Sequence, residues 1–396
     1  MPEYLAPGVY VEKSEAAEKP IEGVPTSTVG FVGMTEHVRN GDVDNDTLLD
    51  TPTLITNWGD FVTRFGRYHK DQAPYLPPSV RGFFENGGTR CFVVRVRQGA
   101  TDGDYVGTDG GNGKRTGLQA LIGVDEVKIV CVPGGTSPAV QQAMITHCEN
   151  MRYRFCVLDS QENANPDAVA AQKSRVSSKN GSGALYYPWI MVSIEVEEKG
   201  QIHLIQDFVP PSGHIAGIYA RTDVERGVHK APANTLVQGA LETQASLSRG
   251  EQDSLNSQGI NCLRSFPGRG ILVWGARTVS NDPEWKYVNV RRLQIYIEES
   301  IENGTRWVVF EPNQETTWAR VRASVTDFLI HVWRNGALMG AKPEEAFLVK
   351  CDRTTMSQND IDNGRLILLI GIAPVKPAEF IIFRIAQPCG DSRVVK

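Results

Sequence analysis

Apolar and polar positions along this chain fall into runs that switch between a period of two and a period near 3.6 residues. Val29-Gly30-Phe31-Val32-Gly33 reads as a buried strand, and Cys91 to Val96 as another. Trp58 to Phe65 and Ser79 to Asn86 read as short helices, the second ended by Gly87-Gly88. Val127 to Val132, a helix from Ala139 to Met151 and Phe155 to Asp159 compose a βαβ unit. Pro210-Pro211-Ser212-Gly213 opens a short helix with Ser212 as candidate N-cap. Further on, Gly270 to Trp274 is a strand, Val288 to Glu302 a helix closed by Asn303-Gly304, and Arg306 to Phe310 a strand. Trp318 to Trp333 is an amphipathic helix that stops at Asn335-Gly336. Phe347 to Cys351, Leu366 to Ile372 and Glu379 to Ile385 complete the strands. This alternation predicts an α/β fold with mixed sheets flanked by helices.

Polar stretches at Asn40 to Asp50, Thr101 to Gly117 and Ser174 to Gly183 read as exposed loops. Ser248 to Gly259 is polar and weakly patterned, which sets a boundary between two bodies near residue 255. Residues 1–24 read as an arm: a turn at Pro7-Gly8, a short alternating strand to Glu12, then the charged stretch Lys13 to Lys19. Neither this strand nor the one from Glu379 has a local hairpin partner. An isolated strand is not stable in water, so each must join a sheet elsewhere in the chain or on a neighbour.

Of 396 residues, 41 are Lys or Arg and 46 Asp or Glu, a net charge of -5, and no basic tract stands out. Nucleic acid is therefore not an expected partner. Met1-Pro2-Glu3-Tyr4 lacks the features of a signal peptide. The longest uncharged apolar run, Leu366 to Val375, falls short of the ~18 residues that span a bilayer. The expectation is a protein made in the cytoplasm, with no direct membrane insertion. Seven cysteines without a CxxC pair read as small buried hydrophobes.

Candidate chemistry fails on spacing. Gly107 to Lys114 is one residue too long for a phosphate loop, and Arg115 stands where the metal-binding hydroxyl belongs. Asp42, Asp44 and Asp46 begin like a calcium loop, but Thr47 replaces the turn glycine and Thr53 the bidentate glutamate. The histidines form no HxH or HExxH pair, and no G-x-S-x-G elbow occurs. No catalytic, cofactor-binding or metal-binding residue is assigned, and no cofactor is expected. Two helices carry more information. Trp318, Val321, Val325, Phe328, Leu329, Val332 and Trp333 share one face, while Arg320, Asp327, His331 and Arg334 share the opposite one. Arg322, beside the apolar stripe, must snorkel, stack or pair. The preceding helix has Arg291 and Arg292 early and Glu298, Glu299 and Glu302 late, against its own dipole. Those charges meet something outside the helix, pair within it, or fall in this order by chance.

A series of motifs, in order over nearly the whole chain, resembles the contractile tail sheath proteins. It begins with Pro7-Gly8-Val9-Tyr10-Val11-Glu12, Gly30-Phe31-Val32-Gly33, Trp58-Gly59-Asp60-Phe61 and Phe83-Phe84-Glu85-Asn86-Gly87-Gly88. Tyr219-Ala220-Arg221-Thr222-Asp223, Arg226-Gly227-Val228-His229 and Trp274-Gly275-Ala276-Arg277-Thr278 follow. Tyr287-Val288-Asn289-Val290-Arg291-Arg292, Phe310-Glu311-Pro312-Asn313 and Pro377-Ala378-Glu379-Phe380-Ile381 close it.

The resemblance implies a structural subunit of stacked six-membered rings, wound helically around an inner tube. An extended lattice contracts and drives the tube through a target envelope, without nucleotide hydrolysis. Implied partners are further copies of the chain, the tube protein, and baseplate and terminator proteins. The implied final location is a phage tail or an injection particle. Its division would be an N-terminal linking arm, 1–24; an outer α/β domain, 25–255; an inner domain, 256–378; and a C-terminal linking arm, 379–396. Tyr4, Val9, Tyr10 and Val11, with Phe380, Ile381, Ile382 and Phe383, would join sheets of neighbours. The helix bearing Arg320, Asp327, His331 and Arg334 would face the tube. The alternatives are an assembly protein that does not contract, and a cytosolic α/β enzyme, which would need a coherent polar cleft.

Overall fold

The computed structural model describes residues 20–37, 39–40, 43–198 and 200–380. A nine-stranded sheet forms its centre. Across the sheet the strands run Thr235–Leu236, Gly270–Trp274, Ile260–Phe266, Gly183–Tyr187, Phe155–Asp159, Ile129–Cys131, Val29–Met34, Cys91–Val96 and Thr53–Ile55. Neighbours from Ile260–Phe266 to Cys91–Val96 are parallel, and the pairs toward both edges are antiparallel.

Parallel strands buried on both faces need apolar residues at odd and even positions alike. That is why Phe155 to Asp159 and Cys91 to Val96 read as unbroken apolar runs. Phe31, Val93, Phe155 and Val157 face one core, which is covered by α1 (Trp58–Phe65), α2 (Leu76–Glu85) and the later helix α6 (Ser212–Arg226). Val32, Val94, Cys156 and Leu158 face a second core. That face holds a short helix, α3 (Asp102–Val106), then α4 (Pro138–Asn150), α5 (Pro166–Ser174) and, beyond α6 (Ser212–Arg226), α7 (Arg249–Ser257). The βαβ unit takes the expected form, with Ile129–Cys131 parallel to Phe155–Asp159 and α4 between them. The cysteines at 91, 131, 148, 156, 262 and 351 are free and buried.

A third core lies around α8 (Val288–Gly304) and α9 (Glu315–Arg334). Leu293, Ile297 and Ile301 of α8 pack there against Val321, Val325, Phe328, Leu329 and Val332 of α9. A two-stranded antiparallel sheet, Phe347–Lys350 with Leu369–Ile372, covers this core.

Several expectations are corrected. Ser248 to Gly259 is not weakly structured. Ser248 caps α7 in a capping box with Glu251, and the expected break at residue 255 falls inside that helix. The strands Ile260–Phe266 and Gly270–Trp274, expected in the second body, continue the large sheet of the first. Arg306 to Phe310 is not a strand. Residues Arg306–Val308 form a 3-10 turn, and Phe310 follows with φ 70. The Asn40 to Asp50 stretch contains a tiny hairpin, Arg39–Asn40 with Val43–Asp44, and a 3-10 turn, Asn45–Leu48. Asp46 there reaches the buried Arg95 at 2.6 Å, so its carboxylate serves an ion pair. The Thr101 to Gly117 stretch opens with α3, whose first turn Thr101 and Asp104 close.

Ser212 is the first residue of a helix longer than expected, α6, with Pro211 as its N-cap. Its hydroxyl and its N–H both donate to the buried Asp159. The strand expected at Leu366 is paired only over Leu369–Ile372. No strand assignment covers 379–380, and the rest of the expected terminal strand lies outside the described residues.

Candidate functional site

Among the described residues no group of three or more His, Cys, Asp or Glu side chains could hold a metal ion. The chain does concentrate unusual side-chain interactions on α8, and that helix explains the charge order read from the sequence. Arg292 is 4% exposed. Its two terminal nitrogens donate to both oxygens of Asp223 on α6, at 2.8 and 2.6 Å, and one also reaches the Thr26 carbonyl at 3.0 Å. Its plane lies over the Tyr219 ring at 4.8 Å, and the Tyr219 hydroxyl shares a 2.7 Å hydrogen bond with Tyr186. Burial alone would lower the Arg292 pKa, but the Asp223 carboxylate more than offsets it and holds the guanidinium above its ordinary value. Arg291 lies over Trp285 at 5.2 Å. At the other end of α8, Glu299 meets Lys128, and Glu302 accepts from the Tyr153 hydroxyl. Arg292, Glu299 and Glu302 therefore meet partners outside the helix, while the exposed Glu298 accepts from Gln294 of α8 itself at 2.7 Å.

The same helix holds the chain where it enters the fold. Thr26 donates its hydroxyl to Asp223 at 2.6 Å, and the Val24 N–H donates to Ser300 Oγ at 3.1 Å. Ile21 is buried beside Gly304. Gly23 passes so close to Tyr296 that a Cβ would lie 2.1 Å from its hydroxyl oxygen. Residues 21–26 thus run antiparallel to α8, from its C-terminal end beside Gly304 to Arg292 near its start.

The last described residues lie at the opposite end of α8. Asn289, in the first turn of α8, donates to the carbonyls of His229 and Val375. Glu379 accepts from Arg277 Nε at 2.8 Å, Arg277 Nη2 at 2.7 Å and the Tyr287 hydroxyl at 3.1 Å. Phe380, next in line, is 72% exposed.

On α9 the apolar face is buried through Trp318, Val321, Val325, Phe328, Leu329 and Val332. Trp333 is half-buried and donates its indole N–H to the Gly340 carbonyl. Arg320, Asp327, His331 and Arg334 all lie exposed on the opposite face. Arg320 stacks over Trp307 at 4.6 Å, and Arg322 reaches solvent. Of the residues expected to link subunits, Phe380 is described. Tyr4, Val9, Tyr10, Val11, Ile381, Ile382 and Phe383 lie outside the described residues.

Beside α9, the two-stranded sheet pairs with no other strand among the described residues, and it exposes Leu348 and Leu369. Near it, Phe310 is fully exposed. The Asp223–Arg292 and Arg277–Glu379 pairs were not read from the sequence. The one signal for the first was a double arginine within the apolar spacing of a helix.

The result is a layered α/β body whose first and last described segments are held at the two ends of one helix. Residues 98–279 match the family described as phage tail sheath protein central domain, and residues 280–387 the phage tail sheath C-terminal domain. The tail sheath protein of Escherichia phage P2 is 24% identical over 402 residues, covering 95% of this chain and 94% of its own. A putative prophage major tail sheath protein of Pseudomonas aeruginosa is 27% identical over 69% of each chain. Among solved structures, the helical sheath of the anti-feeding prophage in its contracted state is 32% identical. It covers 96% of this chain and 99% of its own, with a TM-score of 0.76. The sheath of an extracellular contractile injection system, also contracted, is 30% identical over 98% and 99%, with a TM-score of 0.77. The chain belongs to the phage tail sheath protein family, and it is a contractile sheath subunit.

Proposed function

We propose that the subunit forms stacked six-membered rings around an inner tube, and that it stores the free energy of contraction in the difference between two packings. The observation that carries this reading is the two-stranded sheet Phe347–Lys350 with Leu369–Ile372, whose outer edges pair with no other strand among the described residues and which exposes leucines. An isolated pair of strands gains stability when further strands join it. Residues 3–12 and 379–386 of neighbouring copies are the strands that would do so. Head-to-tail links of that kind build helical arrays rather than closed dimers.

The charged face of α9 would meet the tube through contacts weak enough to be released. Baseplate and terminator proteins would close the ends of the cylinder, in a phage tail or an injection particle. The role is mechanical, and no residue is assigned to catalysis. A division into a sheet body up to about residue 280 and a C-terminal body beyond it, with an arm at each end, agrees with the sheet order and with the two family matches.

The test is electron microscopy of the purified chain and of a variant lacking residues 1–20. The full chain should give striated hollow cylinders. The truncated chain should stay soluble and folded without forming them, and normal cylinders from it would refute the linkage.

A further inference from the structure

We propose that Arg277 and Glu379 form a clamp that positions the C-terminal arm, fixing where and in which direction it leaves the sheet body. The inference rests on the reading of residues 379–386 as a link between subunits.

Arg277 is prepared for this role from its backbone outward. Its N–H donates to Asn261 Oδ1, and its carbonyl accepts from Asn261 Nδ2, each at 2.7 Å. Asn261 is itself fully buried in the central sheet and also donates to the Leu185 carbonyl. One side-chain amide thus ties the backbone of Arg277 to the strand next door. The guanidinium then divides its donors. Nη1 goes to the Asn256 carbonyl at the end of α7, at 2.7 Å, while Nε and Nη2 form a fork on Glu379. A planar guanidinium facing a carboxylate with two parallel bonds sets direction as well as distance. Tyr287 and Lys286, just ahead of α8, approach the same carboxylate at 3.1 and 3.5 Å. Arg277 and Glu379 keep side-chain exposures of only 10% and 16%.

The position in the chain makes the clamp more than a stabilising pair. From the two-stranded sheet to Glu379, the chain crosses from the C-terminal core to the sheet body. Along this path Met339 donates to the Ala373 carbonyl, Val375 donates to the Ala337 carbonyl, and Asn289 donates to the Val375 carbonyl. Pro374 and Pro377 stiffen the same stretch. Among the described residues Glu379 is the last whose side chain the body holds, and Phe380 after it is exposed. Loss of the fork frees the end of a segment that other contacts already hold, so the fold should persist while the aim of the arm is lost.

The experiment compares full-length protein with Glu379→Gln, Glu379→Asp and a truncation after residue 380. Cylinders are counted in electron micrographs at matched concentration, and thermal unfolding of the unassembled subunit is followed in parallel. Glu379→Gln should reduce cylinder number at least tenfold with the melting temperature nearly unchanged. Glu379→Asp, which keeps the charge, should fall between it and wild type. Wild-type assembly by Glu379→Gln, with failure of the truncation, would overturn the clamp and leave the arm's linking role intact. Wild-type assembly by the truncation would overturn both. A large fall in melting temperature for Glu379→Gln would make the pair a fold-stabilising contact and overturn its positioning role.

Discussion

Arg292 occupies a place where an unpaired cation would be severely penalised, between the sheet body and the C-terminal core. Removing one member of a buried ion pair leaves the other charge desolvated, which costs about 3–5 kcal/mol. Asp223→Ala should therefore destabilise the subunit by about that amount, measured by chemical denaturation. It should also release Thr26 and loosen the N-terminal root. Replacing both partners by apolar residues of matching volume should cost less than the single change.

Asp159 presents the opposite case. Burial pushes its carboxyl up to about 7, although Ser212 and Gly134 donate to it. Its folded pKa lies above the unfolded value near 3.9, so the folded state binds the proton more tightly. Its contribution to stability is greatest below about pH 4 and is lost as pH rises through about 7. Urea denaturation across this range should show the Asp159→Asn variant losing less stability than wild type.

At the scale of elements, the pattern of apolar positions was a good guide wherever burial alone decides the structure. The strand Cys91–Val96 and the helix Trp58–Phe65 follow from periodicity and caps, because every residue of the strand is buried and the helix turns Phe61 and Phe65 into the core. Legibility ended where a segment's partner is remote in sequence. Arg306 to Phe310 has strand composition, yet Arg306–Val308 forms a 3-10 turn with Trp307 under Arg320. The polar stretch around α7 looked like a linker. Its helix is specified by the capping box at Ser248 and by Leu255 alone reaching deep into the core. The arginines and glutamates of α8 signalled outside partners. Asp223 and Lys128, far away along the chain, could be paired with them only in three dimensions.

The charged face of α9 yields a prediction at the same scale. Exposed ion pairs are worth only ~0–1 kcal/mol each, so they can set register without locking. Arg320→Glu combined with Arg334→Glu should leave monomer stability nearly unchanged while impairing the coating of tubes, scored by co-sedimentation. Raised salt should mimic the effect in part. Undiminished coating would remove this face from the tube interface.

At the scale of the molecule, α8 is a strut. It is 17 residues long, which at 1.5 Å per residue spans about 25 Å. The incoming chain first meets the helix beside Gly304, and the outgoing chain crosses Asn289 at the other end. In a woven mesh of such subunits, each knot would have a span that does not stretch. A fabric with inextensible knots and pliant threads changes its pitch by turning the knots, as chain mail does when it is sheared. Spin labels placed beside the two exits should therefore report the same intramolecular distance in long and in shortened cylinders, while distances between copies change. A change in the first distance would mean that the knot itself deforms.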